Sequence, residues 1–113
     1  MPRVTVETID KIAFVTLTRP KKMNAVDPEM AEGIVAAFLG DLGGLDILVN
    51  NAGIFPRENV ADMTAAHLDH VLAVNLRGLI LLTREAAAVM IEAGRGGSIL
   101  NISSIDAVQP SMV

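Results

Sequence analysis

The sequence predicts an α/β fold: one small β-β-α-β-α-β domain over residues 1–113, with a mixed sheet and a single βαβ unit. Three observations carry this. Two alternating, β-branched segments open the chain, at Val4–Thr8 and Ile12–Thr18. A short apolar run, Leu45 to Val49, sits between two helical patterns. A second such run, SILNIS from Ser98 to Ser103, follows a long apolar helix. Short apolar runs bounded by turn residues are the pattern of buried parallel strands. Strand–helix–strand order then requires a right-handed crossover.

In chain order, Val4, Val6 and Thr8 alternate with Thr5 and Glu7, and IAFVTLT runs from Ile12 to Thr18 before Pro20. With a turn at Ile9-Asp10-Lys11, the two segments read as an antiparallel hairpin. Asp27 followed by Pro28 is a helix start, because Asp caps the first free N–H groups and Pro needs none. Met30, Ile34, Ala37 and Phe38 share a face of this helix, which is expected to end near Gly40. After the break Asp41-Leu42-Gly43-Gly44 comes the LDILV strand, closed by the turn Asn50-Asn51-Ala52-Gly53. Thr64 caps a long helix expected to reach about Glu92. Leu68, Val71, Leu72, Asn75, Leu79, Leu82, Ala86 and Met90 recur at helical steps, while Val74, Ile80, Leu81 and Val89 populate other faces. That predicts a helix buried on two sides. Gly94-Arg95-Gly96-Gly97 ends it, and the tail from Ile105, with Pro110, reads as a loop.

Composition narrows the function classes. The net charge is −4 and the only basic run is Lys21-Lys22, so nucleic acid is not an expected partner. There is no cysteine, which removes thiolate chemistry and disulfides and fits a cytoplasmic setting. Glu7 and Asp10 interrupt the N-terminal segment, so it does not read as a signal peptide. Asn75, Arg77, Arg84 and Glu85 interrupt the most apolar stretch, so no membrane partner is expected. His67 and His70, three apart on the helix with no third ligand at helical spacing, read as exposed histidines and not as a metal site.

Two strings carry resemblances. LDILVNNAG at Leu45–Gly53, VNLRG at Val74–Gly78 and GGSILNISS at Gly96–Ser104 follow in order. Residues 39–113 therefore resemble the central Rossmann-like portion of the short-chain dehydrogenase/reductase family. VETIDKIAFVTLTRPKKMNAVDPEM, with Arg19-Pro20 and Asn24-Ala25, resembles the opening of the enoyl-CoA hydratase/isomerase (crotonase-like) family. That second resemblance covers residues 1–38 as a hairpin and helix, and the change of source falls within Ala36 to Gly44. Lys21, Lys22 and Met23 resemble a region near the coenzyme A site of the latter family, although a solvated loop is the simpler reading.

The dehydrogenase resemblance implies an Asn that holds a proton-relay water and a Ser that polarises the substrate carbonyl; Asn75 and Ser104 match those positions. It also implies a Tyr proton donor and a Lys, which would fall beyond Val113, and the chain holds no Tyr. Carbonyl reduction needs that donor. A glycine-rich phosphate turn must follow a strand and open a helix, whereas Gly43-Gly44 and Gly96-Gly97 precede strands. Only Asn51, Ala52 and Gly53 remain to touch a nicotinamide dinucleotide, so no cofactor is expected beyond a residual NAD(P) likeness. The first reading is a chimeric protein, engineered or natural, with no intact active site and no native catalysis. The alternative is a truncated NAD(P)-dependent short-chain dehydrogenase/reductase, or a module with residual nucleotide binding. Bare strand edges and the apolar helix predict a homo-oligomer, with segments possible to exchange between copies.

Overall fold

The fold, seen in a computed structural model, is described for residues 3–22 and 24–109. Strands β1 (Val4–Ile9) and β2 (Ile12–Leu17) form the expected hairpin. Their register pairs Val4 with Leu17 and Ile9 with Ile12, leaving Asp10 and Lys11 as a two-residue turn. Both carry positive φ, 50° and 66°, the requirement of a primed hairpin turn whose twist matches the strands. Ala13, Val15 and Leu17 are half-buried while Ile12, Phe14 and Thr16 are exposed. The hairpin therefore covers a helix with one face and offers the other to solvent.

Helix α1 (Pro28–Leu42) starts as predicted: Asp27 accepts the N–H of Met30 at 2.9 Å, with Pro28 in the first turn. The helix runs past Gly40 to Leu42 and stops at Gly43, which takes the left-handed conformation (φ 73°) and donates its N–H to Leu39 O. Gly40 keeps helical geometry, and the glycine that can adopt positive φ at the end is the one that terminates the helix. Asp27 is buried and is paired by Arg3 and, at 3.4 Å, by Arg19. One carboxylate thus caps α1 and ties it to both hairpin strands.

Strand β3 (Ile47–Asn50) pairs in parallel with β4 (Ser98–Asn101), Ile47 opposite Ser98 and Asn50 opposite Asn101. Between them lie α2 (Ala65–Leu72), a π-helical turn (Ala73–Arg77) and α3 (Gly78–Ala93). Thr64 caps α2 by accepting the His67 N–H at 3.1 Å, and Gly94 closes α3 in the left-handed conformation. The predicted element order and the α/β class stand. The sheet is different: β1–β2 and β3–β4 form two separate two-stranded sheets, not one mixed sheet. The reason is α1, which packs on the hairpin and on α3; covered in this way, the hairpin meets the rest of the chain through a helix and not through a strand edge.

The core is small. Ala25, Met30, Ala31, Val35, Ala86 and Met90 are its buried apolar residues. The Val26 segment closes on the long helix at Gly78, where an added Cβ would stand 3.4 Å from both Val26 Cβ and Ala73 O, close to ordinary contact. The expectation of two-sided burial of the long helix is corrected: Leu68, Leu72 and Ile80 are 45%, 47% and 54% exposed. Its α1-facing stripe is covered and Thr83 meets Asn50 of β3, but these other positions stay open. By length and composition, the helical stretch Ala65–Ala93 would be able to cross a membrane; in this fold one of its faces packs on α1.

Candidate functional site

The parallel pair points both carboxyl ends the same way, and open α/β sheets bind ligands at that end. Here the ends of β3 and β4 open on a cavity of about 610 Å³. Asn51, Ala52 and Gly53 form one wall, Ile102 to Ser104 another, and Asn75 reaches in from the long helix. The sequence positions singled out for catalysis and cofactor contact are therefore brought together, all on exposed backbone.

Asn75 sits within the π turn. The wider turn is closed by the Gly78 N–H on Ala73 O; such bulges recur at functional sites. Both ends of its side-chain amide are engaged: Oδ1 accepts the Ile54 N–H and Nδ2 donates to Ile54 O, each at 2.8 Å. Both backbone groups of a loop residue just after the NNAG turn are thus pinned to the helix. Asn75 thus bonds backbone close to the β3 end.

Ser104 lies beyond β4 in extended backbone and caps the short 3-10 turn Ile105–Ala107. Its Oγ accepts the Asp106 N–H at 3.1 Å. With a lone pair so occupied, the hydroxyl proton is left to donate elsewhere. Among the described residues of the cavity wall Asp106 alone carries a carboxylate, and sequence reasoning passed over it because the tail looked featureless. It also passed over Asn50, the buried first Asn of the turn. Asn50 Nδ2 donates to Asn101 Oδ1 at 2.9 Å and to Thr83 Oγ1 at 3.1 Å, which locks β3, β4 and α3 together below the cavity. The signal was available: a buried strand end with a polar residue demands partners.

The fit to a nicotinamide dinucleotide is partial. The NNAG turn lines a cavity at the strand ends. The phosphate-binding end has no counterpart among the described residues, since Gly43-Gly44 lead into β3 and Gly96-Gly97 into β4. A larger groove of about 890 Å³ between α1 and β3 is lined mostly by aliphatic residues such as Ile34, Leu42 and Ile47; its two charged residues, Arg95 and Asp46, pair with each other at 3.4 Å. It carries no chemistry.

The histidines are not the exposed pair expected. His67 Nδ1 pairs with Glu58 Oε2, and His70 Nε2 is buried without a hydrogen-bond partner among the described residues. The loop before α2 folds back over that face of the helix. No group of three or more His, Cys, Asp or Glu able to hold a metal occurs among the described residues. Lys21 and Lys22 are exposed in a 3-10 turn (Pro20–Lys22), and Met23 lies outside the described residues, as does Pro110.

Comparison with known proteins converges on one family. A family model for short chain dehydrogenases matches residues 6–113. The chain is 37% identical over 87 residues to an L-rhamnose 1-dehydrogenase (NAD(P)(+)) of Sphingomonas sp. strain SKA58, covering 77% of this chain and 34% of that protein. It is 32% identical over 106 residues to a 2-dehydro-3-deoxy-D-gluconate 5-dehydrogenase of Dickeya dadantii, covering 92% of this chain and 40% of that protein. The crystal structure of a short-chain type dehydrogenase/reductase from Mycobacterium marinum superposes with a TM-score of 0.74 at 30% identity, covering 77% of this chain and 35% of that one. The chain spans between a third and two fifths of the length of these curated relatives. The family match runs through the hairpin and α1, the region whose sequence resembles a crotonase-like protein. These findings support the dehydrogenase part and supply nothing for a crotonase-like part or a chimeric origin.

Proposed function

The chain belongs to the short chain dehydrogenase family, and from that premise we propose that it supplies the central strand–helix–strand portion of an NAD(P)-linked oxidoreductase acting on a hydroxyl or carbonyl of a polyhydroxylated substrate. The observation that carries this reading is the convergence of Asn75, Ser104 and the Asn51–Gly53 turn on one cavity at the ends of two parallel strands. The names of the two curated relatives, a sugar dehydrogenase and a dehydrogenase of a sugar acid, support the substrate class.

In this reading Asn51, Ala52 and Gly53 contact the nicotinamide end of the dinucleotide, which when bound supplies or accepts the hydride. Ser104 donates its hydroxyl proton to the substrate oxygen, where charge develops. Asn75 positions the cofactor-side loop through Ile54. The chain has no Tyr, so the family's proton donor is not one of these residues. The chain's own share is binding and orientation. The chimeric reading without native function rests on the residue 1–38 strings alone, and the comparisons favour the dehydrogenase alternative.

Titration of the chain with NADH and NADPH, followed by cofactor fluorescence and by the amide shifts of Asn51 to Gly53, tests this. Saturable binding with a dissociation constant near millimolar, centred on that turn, is the expected result. No binding at several millimolar cofactor overturns it.

A cytoplasmic, self-associating protein completes the proposal. The chain exposes 8228 Å², against about 6,000 Å² for a folded monomer of its mass. The excess exceeds the roughly 800 Å² per partner of a standard interface. Exposed Ile47, Val49, Ile80 and Leu100 lie on the open β3–β4 sheet and the open side of the helix. A single monomeric species in sedimentation velocity at micromolar concentration would sink the homo-oligomer.

A further inference from the structure

We propose that the open edge of β3 is the surface through which the chain self-associates, and that its partner is β3 of a second copy, running antiparallel across a two-fold axis at Leu48. This rests on the self-association proposed above and names the surface that carries it.

The ladder sets the edge. Asp46 O and Asn50 O accept the Ser98 and Ile102 N–H groups, at 2.9 and 3.0 Å. In a parallel ladder such bonds come from alternate residues of a strand, so Asp46, Leu48 and Asn50 turn their backbone groups to β4. Ile47 and Val49 turn theirs the other way, where β3 has no strand neighbour among the described residues. Their side chains are bare as well, 65% and 51% exposed. Asn50, on the opposite face, is buried and bonded to Thr83 of α3. Lys and Pro, which keep natural edges from pairing, are missing from the ILVN of β3.

The groove between α1 and β3, about 890 Å³, runs along this edge, with Ile34, Phe38 and Leu42 of α1 as its second wall. A strand laid beside β3 meets these side chains. Asp46 and Arg95 in the groove pair with each other, so two copies meet there without like-charge repulsion although the chain's net charge is −4. The β4 edge suits a partner less well. Its outward residues are Ile99 and Asn101, and Asn101 Oδ1 already accepts from Asn50.

Size supports a second copy as the occupant. The radius of gyration is 16.0 Å, against about 13 Å for a compact chain of this length. The 8228 Å² of exposed surface leaves enough excess over a folded monomer for a standard interface of about 800 Å² per partner. Register follows from the alternation. With Leu48 opposite Leu48 of the second copy, Ile47 of each copy faces Val49 of the other, and these outward residues exchange both backbone bonds. A one-residue slip would set Ile47 against Asn50, whose backbone already bonds β4. Such an isologous contact closes at the dimer.

The chain has no cysteine, so single introduced cysteines report the register of the full chain. Leu48→Cys places two sulfurs on a non-hydrogen-bonded pair with Cα atoms about 4.5 Å apart, within disulfide reach; it should oxidise to a covalent dimer. Val49→Cys places them on a diagonal of about 7–8 Å and should cross-link at least about tenfold more slowly. In sedimentation velocity, Val49→Lys should raise the dimer dissociation constant about tenfold or more, with circular dichroism showing the fold retained. Ile80→Lys, on the open side of the long helix, should leave the dimer intact. Equal cross-linking of the two cysteine variants, or a dimer that survives Val49→Lys and is broken by Ile80→Lys, overturns the β3 edge while sparing self-association. A parent chain that stays monomeric overturns both.

Discussion

Replacing Asn75 by alanine tests how the loop after the NNAG turn is held. The substitution removes both bonds to the Ile54 backbone, each 2.8 Å. Intramolecular hydrogen bonds are worth about 0.5–1.5 kcal/mol net. Because Asn75 is exposed and water can replace it, the lower half of that range applies to each bond. The loop should lose about 1–2 kcal/mol of local stability, an opening constant raised about five- to thirtyfold. Amide hydrogen exchange reads this directly: Ile54 should exchange faster by that factor while Ala86 and Met90, buried in the core, keep their protection. Asn75→Asp sharpens the result. It retains an acceptor for the Ile54 N–H but sets a carboxylate against Ile54 O, so the Ile54 amide should stay more protected than in N75A while NADH binding falls in both. Unchanged Ile54 exchange in N75A refutes the bracket. An equal loss of protection throughout α3 would show that Asn75 supports the whole fold and not the loop.

Met30 is fully buried in a core of few residues, so Met30→Ala should cost about 2–5 kcal/mol and leave little cooperative melting by circular dichroism. Asp27→Asn keeps a cap acceptor but leaves Arg3 and Arg19 without their shared carboxylate; a loss of about 1–3 kcal/mol in denaturant titration is expected, and a wild-type midpoint would contradict the tie. Lys11→Gly relieves a side chain at φ 66° and should raise stability by about 1 kcal/mol, seen as a higher melting temperature. If copies associate, the melting temperature should itself rise with protein concentration by a few degrees per decade; a value independent of concentration argues against association.

What the sequence made legible was local. Asp27 before Pro28, Thr64 before the long helix and the alternation of Val4, Val6 and Thr8 are read from neighbouring residues, and each element starts where they place it. The end of α1 was misplaced because Gly40 and Gly43 look alike as letters; only backbone conformation distinguishes a glycine inside a helix from one that stops it. The single mixed sheet was expected because hairpin and βαβ unit both have bare edges, but which edge meets which depends on where α1 packs, a contact between residues far apart in the chain. Asn51–Gly53, Asn75 and Ser104 were found through motif strings and do share a cavity. Asn50 and Asp106 were missed because their partners, Asn101 with Thr83 and Ser104, become evident only once the strand ends are side by side.

The site and the rest of the molecule are held by different forces. Among the described residues, the cavity is shaped by short polar contacts inside the βαβ unit: Asn75 to Ile54, Asn50 to Asn101 and Thr83, Ser104 to the Asp106 N–H. The hairpin and α1 act from the other side of the long helix, where α1 packs on α3 and Val26 closes on Gly78. Their contribution is apolar and distributed, since three of the six buried apolar residues among those described belong to α1. Polar stitches define geometry but add little net stability, whereas apolar burial adds stability with little directional preference. Substitutions in residues 4–42 should therefore change how much folded protein there is. Substitutions among residues 50–106 that face the cavity should change what the folded protein binds.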